Sequence, residues 1–184
     1  AGFIGAMRDI GRPMLYGSPG SGSYIHVTGA LFARETGLPG EHVAYRGSAP
    51  ALTDLAAGRL DVMFENQPGA LPFIRDGRLR ALAVTSPERS PVLPEVPTMI
   101  EAGLPGVIAV PWFALFAPAP TPSVLRERIA ADIAAVQGAE EPRRVFETLG
   151  IRSEVMGPDA LSQLVLRERE RMGAVVRAAG IRAE

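Results

Sequence analysis

A run of small polar residues, GSPGSGS over residues 17–23, lies between a short apolar segment and an amphipathic one. Glycine lets a backbone approach a ligand closely, and serine hydroxyls donate hydrogen bonds. The helix expected to begin near Tyr24 would add unpaired N–H groups and a partial positive charge. These features together could bind an anion. The alternative is an ordinary capping loop whose serines bond only their own helix.

The known phosphate-binding motifs fit this run poorly. Gly17 and Gly22 have the spacing of a P-loop, but Ser23 and Tyr24 stand where that motif needs lysine and then serine or threonine. The dinucleotide fingerprint fails because Ile25 occupies its third glycine position. A carboxylate is therefore the favoured anion.

Two later turns repeat the arrangement of a strand followed by polar residues. In the first turn Gly47 precedes Ser48, which is predicted to cap a helix, and Arg46 could bind a carboxylate or form a structural salt bridge. Glu65 follows another predicted strand. It could accept a hydrogen bond from a ligand amine or an ordered water, or it could be an exposed loop charge.

Catalysis and metal binding have little support in the residue pattern. Ser23 and His26 lie three residues apart, but no G-x-S-x-G elbow is present to expose a nucleophile. His26 and His42 have no paired metal-ligand spacing, and each is predicted to be structural. The chain has no cysteine, which excludes disulfides and thiolate sites. We therefore predict no catalytic residue, no metal and no cofactor.

The charge balance argues against nucleic-acid and membrane-surface partners. Nineteen basic residues, all arginine, stand against twenty acidic ones, and the net charge is −1. Such partners normally require a basic excess or stripe. No uninterrupted apolar run approaches the roughly 18 residues of a spanning helix, so direct membrane insertion is not expected.

The hydrophobic periodicity alternates between helix and strand along the chain. Helices are predicted over residues 1–11, 24–36, 49–57, 68–76, 98–102, 122–137, 141–149 and 158–179, and strands over 14–16, 42–45, 60–64, 79–85 and 151–155. The longest apolar run is 107–116. Strands separated by helices favour an α/β fold with a mainly parallel sheet. Ligands of such sheets bind beyond the carboxyl ends of the strands, where the three polar loops would meet.

Several consecutive blocks carry a family resemblance from about Pro13 to the end of the chain: YGSPGSGSYIH, HVAYRGSAPALTDLAAGRLDVMFEN, LPFIRDGRLRALAVTSPERSPVLPEVPTMIEAGLPG and PWFALFAPAPTP. Together they resemble the substrate-binding receptors of tripartite tricarboxylate transporters, the Bug receptors. The resemblance implies a two-lobed fold of the periplasmic-binding-protein type II kind. It also implies a periplasmic, non-enzymatic receptor that passes a small carboxylate to a membrane permease. The ligand class would be a di- or tricarboxylate, an acidic amino acid or an aromatic carboxylate.

The resemblance also implies which residues bind the ligand: Ser18, Gly20, Ser21, Gly22, Ser23, Gly47, Ser48, Ala49 and Glu65. His26 matches the motif without an assigned role. Because family members are longer, the chain is expected to lack their N-terminal part. Residues 1–110 would form a nearly complete second lobe with its preceding helix. Residues 111–184 would be the crossover strand and the return to a partial first lobe.

Two consequences are expected from a partial first lobe. The helices over 122–137 and 158–179 should expose apolar faces or pack against a substitute for the missing lobe, and the half-built site should bind weakly or not at all. Three alternatives stay open: an effector domain of a regulator with a similar two-lobe fold, an enzyme using Ser23 and His26, and a gene product without activity.

Overall fold

The computed structural model describes residues 2–182. The chain divides into two compact units, the first comprising Ala1–Pro111 and Ala174–Glu184, the second Trp112–Gly173. The helices are α1 Phe3–Ile10, α2 Tyr24–Thr36, α3 Ser48–Ala56, α4 Gln67–Arg75, α5 Ser123–Gly138, α6 Glu140–Leu149 and α7 Pro158–Ala178. The strands are β1 Met14–Ser18, β2 Gly40–Ala44 and β3 Val62–Met63.

The sheet of the first unit is parallel, in the order β2-β1-β3. β1 pairs with β2 along its whole length, from Met14 opposite Gly40 to Ser18 opposite Ala44. β3 adds a short pairing on the other side of β1. Helices connect the strands, as parallel pairing requires. The predicted α/β class with a parallel sheet and flanking helices is confirmed.

Local capping rules account for α2. The hydroxyl of Ser23 accepts a hydrogen bond from the His26 backbone N–H, and the helix ends at Gly37, whose N–H bonds the Arg34 carbonyl. The apolar face of α2 packs on the sheet. The buried core of this unit consists of Met7, Met14, Tyr16, Phe32, Leu38, Met99 and Val107. A smaller cluster contains Leu71, Leu93 and Val96.

Three predicted elements of the chain are absent from the described residues. Residues 79–85 form no strand, because the sheet offers them no neighbour apart from a single bridge between Val84 and Thr98. Residues 98–102 form turns instead of a helix. Residues 151–155 form no strand, since they have no partner for a ladder among residues 2–182.

Two predicted helix starts are also wrong. Gly47, not Ser48, occupies the N-cap of α3, and Ser48 is the first helical residue. α5 begins at Ser123 with Pro122 at its N-cap, one residue later than the predicted start at residue 122. In both cases the backbone turns into the helix without a side-chain cap.

Candidate functional site

Three polar loops follow the three strands of the sheet. We call residues 19–23 the first loop, 45–47 the second loop and 64–66 the third loop. Because the strands are parallel, all three lie at the carboxyl edge of the sheet. The first two loops are joined directly: Tyr45 N–H donates to the Ser18 carbonyl at 2.9 Å, and Gly47 N–H donates to the Pro19 carbonyl at 3.3 Å. The predicted convergence of these loops is present in the structure.

Ser18, the last residue of β1, holds the first loop through hydrogen bonds to its backbone. This side chain is fully buried, and its Oγ donates to the Gly20 carbonyl at 2.9 Å and accepts from Gly20 N–H at 3.2 Å. The same Oγ lies 2.6 Å from His42 Nε2. Ser18 therefore shapes the loop from inside, and its hydroxyl is committed to internal partners.

The rest of the first loop leads into α2. Ser23 is the N-cap, so the simple capping interpretation is right for this serine. Gly22 has φ 74°, which favours glycine, and its N–H donates to His26 Nδ1 at 3.1 Å. Ser21 is half-buried between the two glycines. Beside Gly20 there is open space, since a Cβ built there would meet no atom within 4 Å.

The second loop presents the start of α3 to the same edge. Gly47 has φ 105°, a conformation that other residues rarely adopt. Ser48 and Ala49 follow as the first two helical residues, and within residues 2–182 their backbone N–H groups have no hydrogen-bond partner. Pro50 has no N–H to offer. Arg46 is exposed and forms no ion pair with a described residue. Two amide donors and the positive end of the helix dipole therefore lie at this edge.

In the third loop, only one of the two carboxylate oxygens of Glu65 has a hydrogen-bond partner among the described residues. Glu65 Oε1 accepts a hydrogen bond from Asn66 N–H at 2.8 Å. Glu65 Oε2 is buried and has no partner among the described residues. A buried acceptor without a partner costs about 1–3 kcal/mol, so this oxygen favours a bound donor.

A stacked pair of histidines lies under the first loop. The rings of His26 and His42 are 3.5 Å apart and nearly parallel, at 9°. Burial lowers the pKa of His26, and burial together with His26 lowers the pKa of His42 to about 4. Both rings are therefore neutral at pH 7. The structure agrees with a structural role for each ring, but the pairing itself was not predicted.

The pairing follows from how α2 and β2 lie against β1. His42 lies directly opposite Tyr16 in the β1–β2 register, and the Tyr16 ring is 5.3 Å from His42 and 6.0 Å from His26. The register of β2 against β1 and the packing of α2 on both strands bring the two histidines together, and the spacing of residues 26 and 42 does not indicate either arrangement.

Two serine–histidine contacts bear on catalysis. The Ser23 hydroxyl bonds the backbone of His26, whose Nδ1 is already used by Gly22. Ser18 and His42 have the spacing of a nucleophile and its base, but Ser18 is 0% exposed, so a substrate carbonyl would not reach it. Neither contact therefore presents an activated serine hydroxyl to a substrate carbonyl.

The described residues contain no cluster of three or more histidine, aspartate or glutamate side chains that could share a metal ion. In the same part of the chain no helix has both the length and the apolar character needed to cross a bilayer. A cavity of about 250 Å³ lies next to the histidine pair and is lined by Tyr16, His26, Arg34, Gly40 and Val175, among others.

Comparison with protein families decides the wider relationship. Residues 1–181 match the TctC family, the tripartite tricarboxylate transporter family receptor. The chain belongs to this family. The predicted resemblance is confirmed, and it favours the receptor over the regulator and the hydrolase among the alternatives.

Curated TctC relatives agree with the match. The chain is 40% identical over 170 residues to the UPF0065 protein in the tcbD–tcbE intergenic region of Pseudomonas sp. strain P51, covering 92% of this chain and 51% of that protein. It is 36% identical over 159 residues to BugT of Bordetella pertussis, covering 86% of this chain and 49% of BugT. The chain thus spans about half the length of these relatives.

Solved TctC-type structures share the fold. R. palustris Rpa4515 with adipate superposes with a TM-score of 0.89 at 34% identity, covering 98% of this chain and 60% of that one. MatC from Rhodopseudomonas palustris with bound malate gives 0.82 at 30% identity, covering 95% and 60%. The periplasmic binding protein BugD gives 0.83 at 26% identity, covering 98% and 61%. These matches support the two-lobed, type II-like architecture.

Proposed function

We propose that the chain supplies the ligand-binding loops of a periplasmic receptor that captures a small carboxylate and delivers it to a tripartite transporter permease. The observation that carries the proposal is the pair of unpartnered N–H groups at Ser48 and Ala49, placed beside the first loop in a member of the TctC family. An incoming carboxylate would accept from these donors at the positive end of α3. On this proposal the chain acts by binding and not by catalysis.

Ligands of the structural neighbours narrow the carboxylate class. Rpa4515 is described with adipate and MatC with malate, both dicarboxylates. We infer that a dicarboxylate is also the ligand class here, ahead of tricarboxylates, acidic amino acids and aromatic carboxylates. Of the predicted site residues, Ser48, Ala49, Gly20 and Ser21 would lie nearest the ligand, with Gly22, Ser23, Gly47 and Ser18 setting the loop shape.

Glu65 should make the proposed site prefer ligands that carry a hydrogen-bond donor. Its orphaned Oε2 accepts a donor, and a second carboxylate would not supply one. A ligand with a hydroxyl or ammonium group, or a bridging water, would satisfy it. A dicarboxylate with such a group, malate for example, should bind more tightly than the unsubstituted succinate of the same carbon count.

The domain division is also a proposal. Residues 1–110 would act as the second lobe of the receptor, and residues 111–184 as the crossover and the return to the first lobe. The apolar side chains exposed in the second unit, among them Phe113, Phe116 and Val124, support a missing packing partner. The neighbours have about two-fifths of their chains outside the match, since this chain covers 60% of each of Rpa4515 and MatC.

The test uses two variants of one residue. Ser48→Ala removes only the hydroxyl, whereas Ser48→Pro also removes the N–H, and proline is tolerated at the first helical position. Malate and succinate affinities would be measured by isothermal titration. We expect Ser48→Pro to weaken malate binding about tenfold, a loss of one charge-assisted hydrogen bond, and Ser48→Ala to have a smaller effect. Equal binding by the two variants would contradict the role of the amide.

Glu65→Gln tests the preference. This substitution keeps the size of the side chain but removes its charge, so the advantage of malate over succinate should shrink. An unchanged ratio of the two affinities would show that Glu65 does not select the ligand.

A further inference from the structure

Two imidazole rings from different elements hold the two halves of the first loop. His42, on β2, reaches Ser18 Oγ through Nε2 at 2.6 Å, and Ser18 in turn bonds Gly20 in both directions. His26, on α2, accepts from Gly22 N–H through Nδ1 at 3.1 Å. The rings stack on each other at 3.5 Å, so displacement of either ring disturbs the other.

We propose that the stacked His26–His42 pair is a positioning device that fixes the first loop in its ligand-binding conformation. The effect on ligand affinity rests on the proposed function, whereas the effect on the loop does not. Neither ring needs to touch the ligand: His42 acts through Ser18 on Gly20, and His26 acts on Gly22.

The protonation state of the pair is part of this arrangement. Because Gly22 donates to His26 Nδ1, that nitrogen carries no proton, and a neutral His26 is the Nε2–H tautomer. A proton added to Nδ1 would replace the acceptor with a donor facing Gly22 N–H. A proton on both rings would place two positive charges at stacking distance.

Burial also opposes a proton on the pair, and the surroundings offer little charge to offset it. The titratable and charged groups nearby are Tyr16 from β1 and Arg34 from α2, and Arg34 is paired with Glu35 at 2.8 Å. Among residues 2–182, α7 contributes Val175 and Ala178 to the lining of the cavity beside His26 and no charged group. Burial lowers the pKa of both rings, in agreement with this environment. The loop should therefore loosen as the pH falls from 6.5 towards 4.

Backbone NMR of the chain tests the proposal without a ligand. His26→Phe and His42→Phe keep an aromatic ring but remove the hydrogen bonds. Tyr16→Phe is the matched control, because it changes the same aromatic cluster without removing a bond to the loop. We expect the Gly22 amide signal to move in His26→Phe and the Gly20 signal to move in His42→Phe, with both unchanged in Tyr16→Phe. Unmoved glycine signals in both histidine variants would overturn the proposal.

A pH titration of the unmodified chain, followed by NMR, is a second test of the proposed role of the histidine pair. It does not depend on whether the histidine variants fold. The Gly20 and Gly22 amide signals should titrate together with the imidazole ¹⁵N signals below pH 6.5. Glycine signals that stay constant while the imidazoles titrate, or a neutral His26 with its proton on Nδ1, would overturn the proposal.

The affinity measurement uses malate as the probe at pH 7.5. We expect both histidine variants to bind about tenfold more weakly than Tyr16→Phe, because a loosened loop must be ordered on binding. Binding as tight as that of Tyr16→Phe would overturn the positioning role. If the unmodified chain does not bind malate, the proposed function fails in its dicarboxylate form, and the NMR result alone decides the role of the histidine pair.

Discussion

The two units of the chain differ in how they use their apolar residues. The first unit encloses a core around Met14, Tyr16 and Phe32, each no more than 4% exposed. In the second unit α5 and α6 contain no buried residue, and Phe113 is 88% exposed. Eleven of the fifteen exposed large apolar side chains among the described residues lie in Trp112–Gly173. A helix with apolar residues therefore does not form a core by itself, because its apolar face must be buried against a second layer of structure.

Because of this difference, ligand binding and self-association are expected in different units of the chain. The loops with unpartnered donors and the orphaned Glu65 oxygen belong to the first unit. The second unit offers an apolar surface and no comparable polar site among its residues. We therefore expect the first unit to dominate both cooperative unfolding and ligand binding, and the second to dominate self-association.

The largest expected effect compares a core residue with an exposed one. Leu71, in the first unit, is 2% exposed, whereas Leu125, in the second, is 50% exposed. Leu71→Ala should lower the free energy of unfolding by about 2–5 kcal/mol because it leaves a cavity. Leu125→Ala should change it by no more than about 0.5 kcal/mol. Urea denaturation measures both, and similar losses in the two variants would remove the distinction between the units.

The next effect concerns the exposed apolar side chains of the second unit. Phe113 and Phe116 are 88% and 69% exposed. If they drive association, the double change Phe113→Ser/Phe116→Ser should weaken it by roughly tenfold or more, since each buried aromatic ring contributes about 1.5–3 kcal/mol. Sedimentation velocity over a concentration series is the measurement. An unmodified chain that is already monomeric at high concentration would contradict the account of this unit.

A smaller effect compares two serines at helix starts in the first unit. Ser23 caps α2 through a hydrogen bond from His26 N–H, at 3.2 Å, whereas Ser48 caps nothing. Ser23→Ala should cost about 1 kcal/mol, and Ser48→Ala should be close to neutral. Thermal melts of the two variants without ligand check this. A Ser48→Ala loss equal to that of Ser23→Ala would restore the capping role that the sequence predicts for Ser48.

The smallest effect is a pH dependence of the first unit. The pKa of His42 is about 4 in the folded chain, below the ordinary value of about 6.5 that it regains on unfolding. The neutral pair therefore contributes fully above pH 6.5, and its contribution is lost as the pH falls from 6.5 to 4. Because His42 is only partly buried, the loss should stay below about 1 kcal/mol. Melts between pH 7.5 and 4.5 should show a shallower acid slope in His42→Phe, and identical slopes would contradict this.

Sequence reasoning succeeded where a structure is determined by neighbouring residues. α2 was predicted over 24–36 and is found there, because Ser23 and Gly37 cap it within its own turns. The position of Glu65 in the loop that follows a strand was also right, although β3 ends at Met63, one residue earlier than predicted. The two-lobed family architecture came from the ordered blocks and not from periodicity.

It failed where the outcome depends on distant residues. An apolar alternation over 79–85 predicts a strand, but a strand exists only with a partner, and only Val84 finds one, at Thr98. The histidine pair depends on the register of β1 against β2, which the residues of either strand do not reveal alone. The capping error at Ser48 has a similar origin, since Gly47 enters the helix with a backbone that the serine does not control.

The most direct test of the central claim is a titration of the ¹⁵N-labelled chain with malate, followed residue by residue. The account predicts saturable shifts at Gly20, Ser48, Ala49 and Glu65, with α5 unaffected. At a hundred times the dissociation constant, the same ligand should stabilise the fold by about 2.7 kcal/mol. Shifts confined to the cavity near Val175 or to the second unit, or no shifts at the three loops, would contradict the claim that these loops bind a carboxylate.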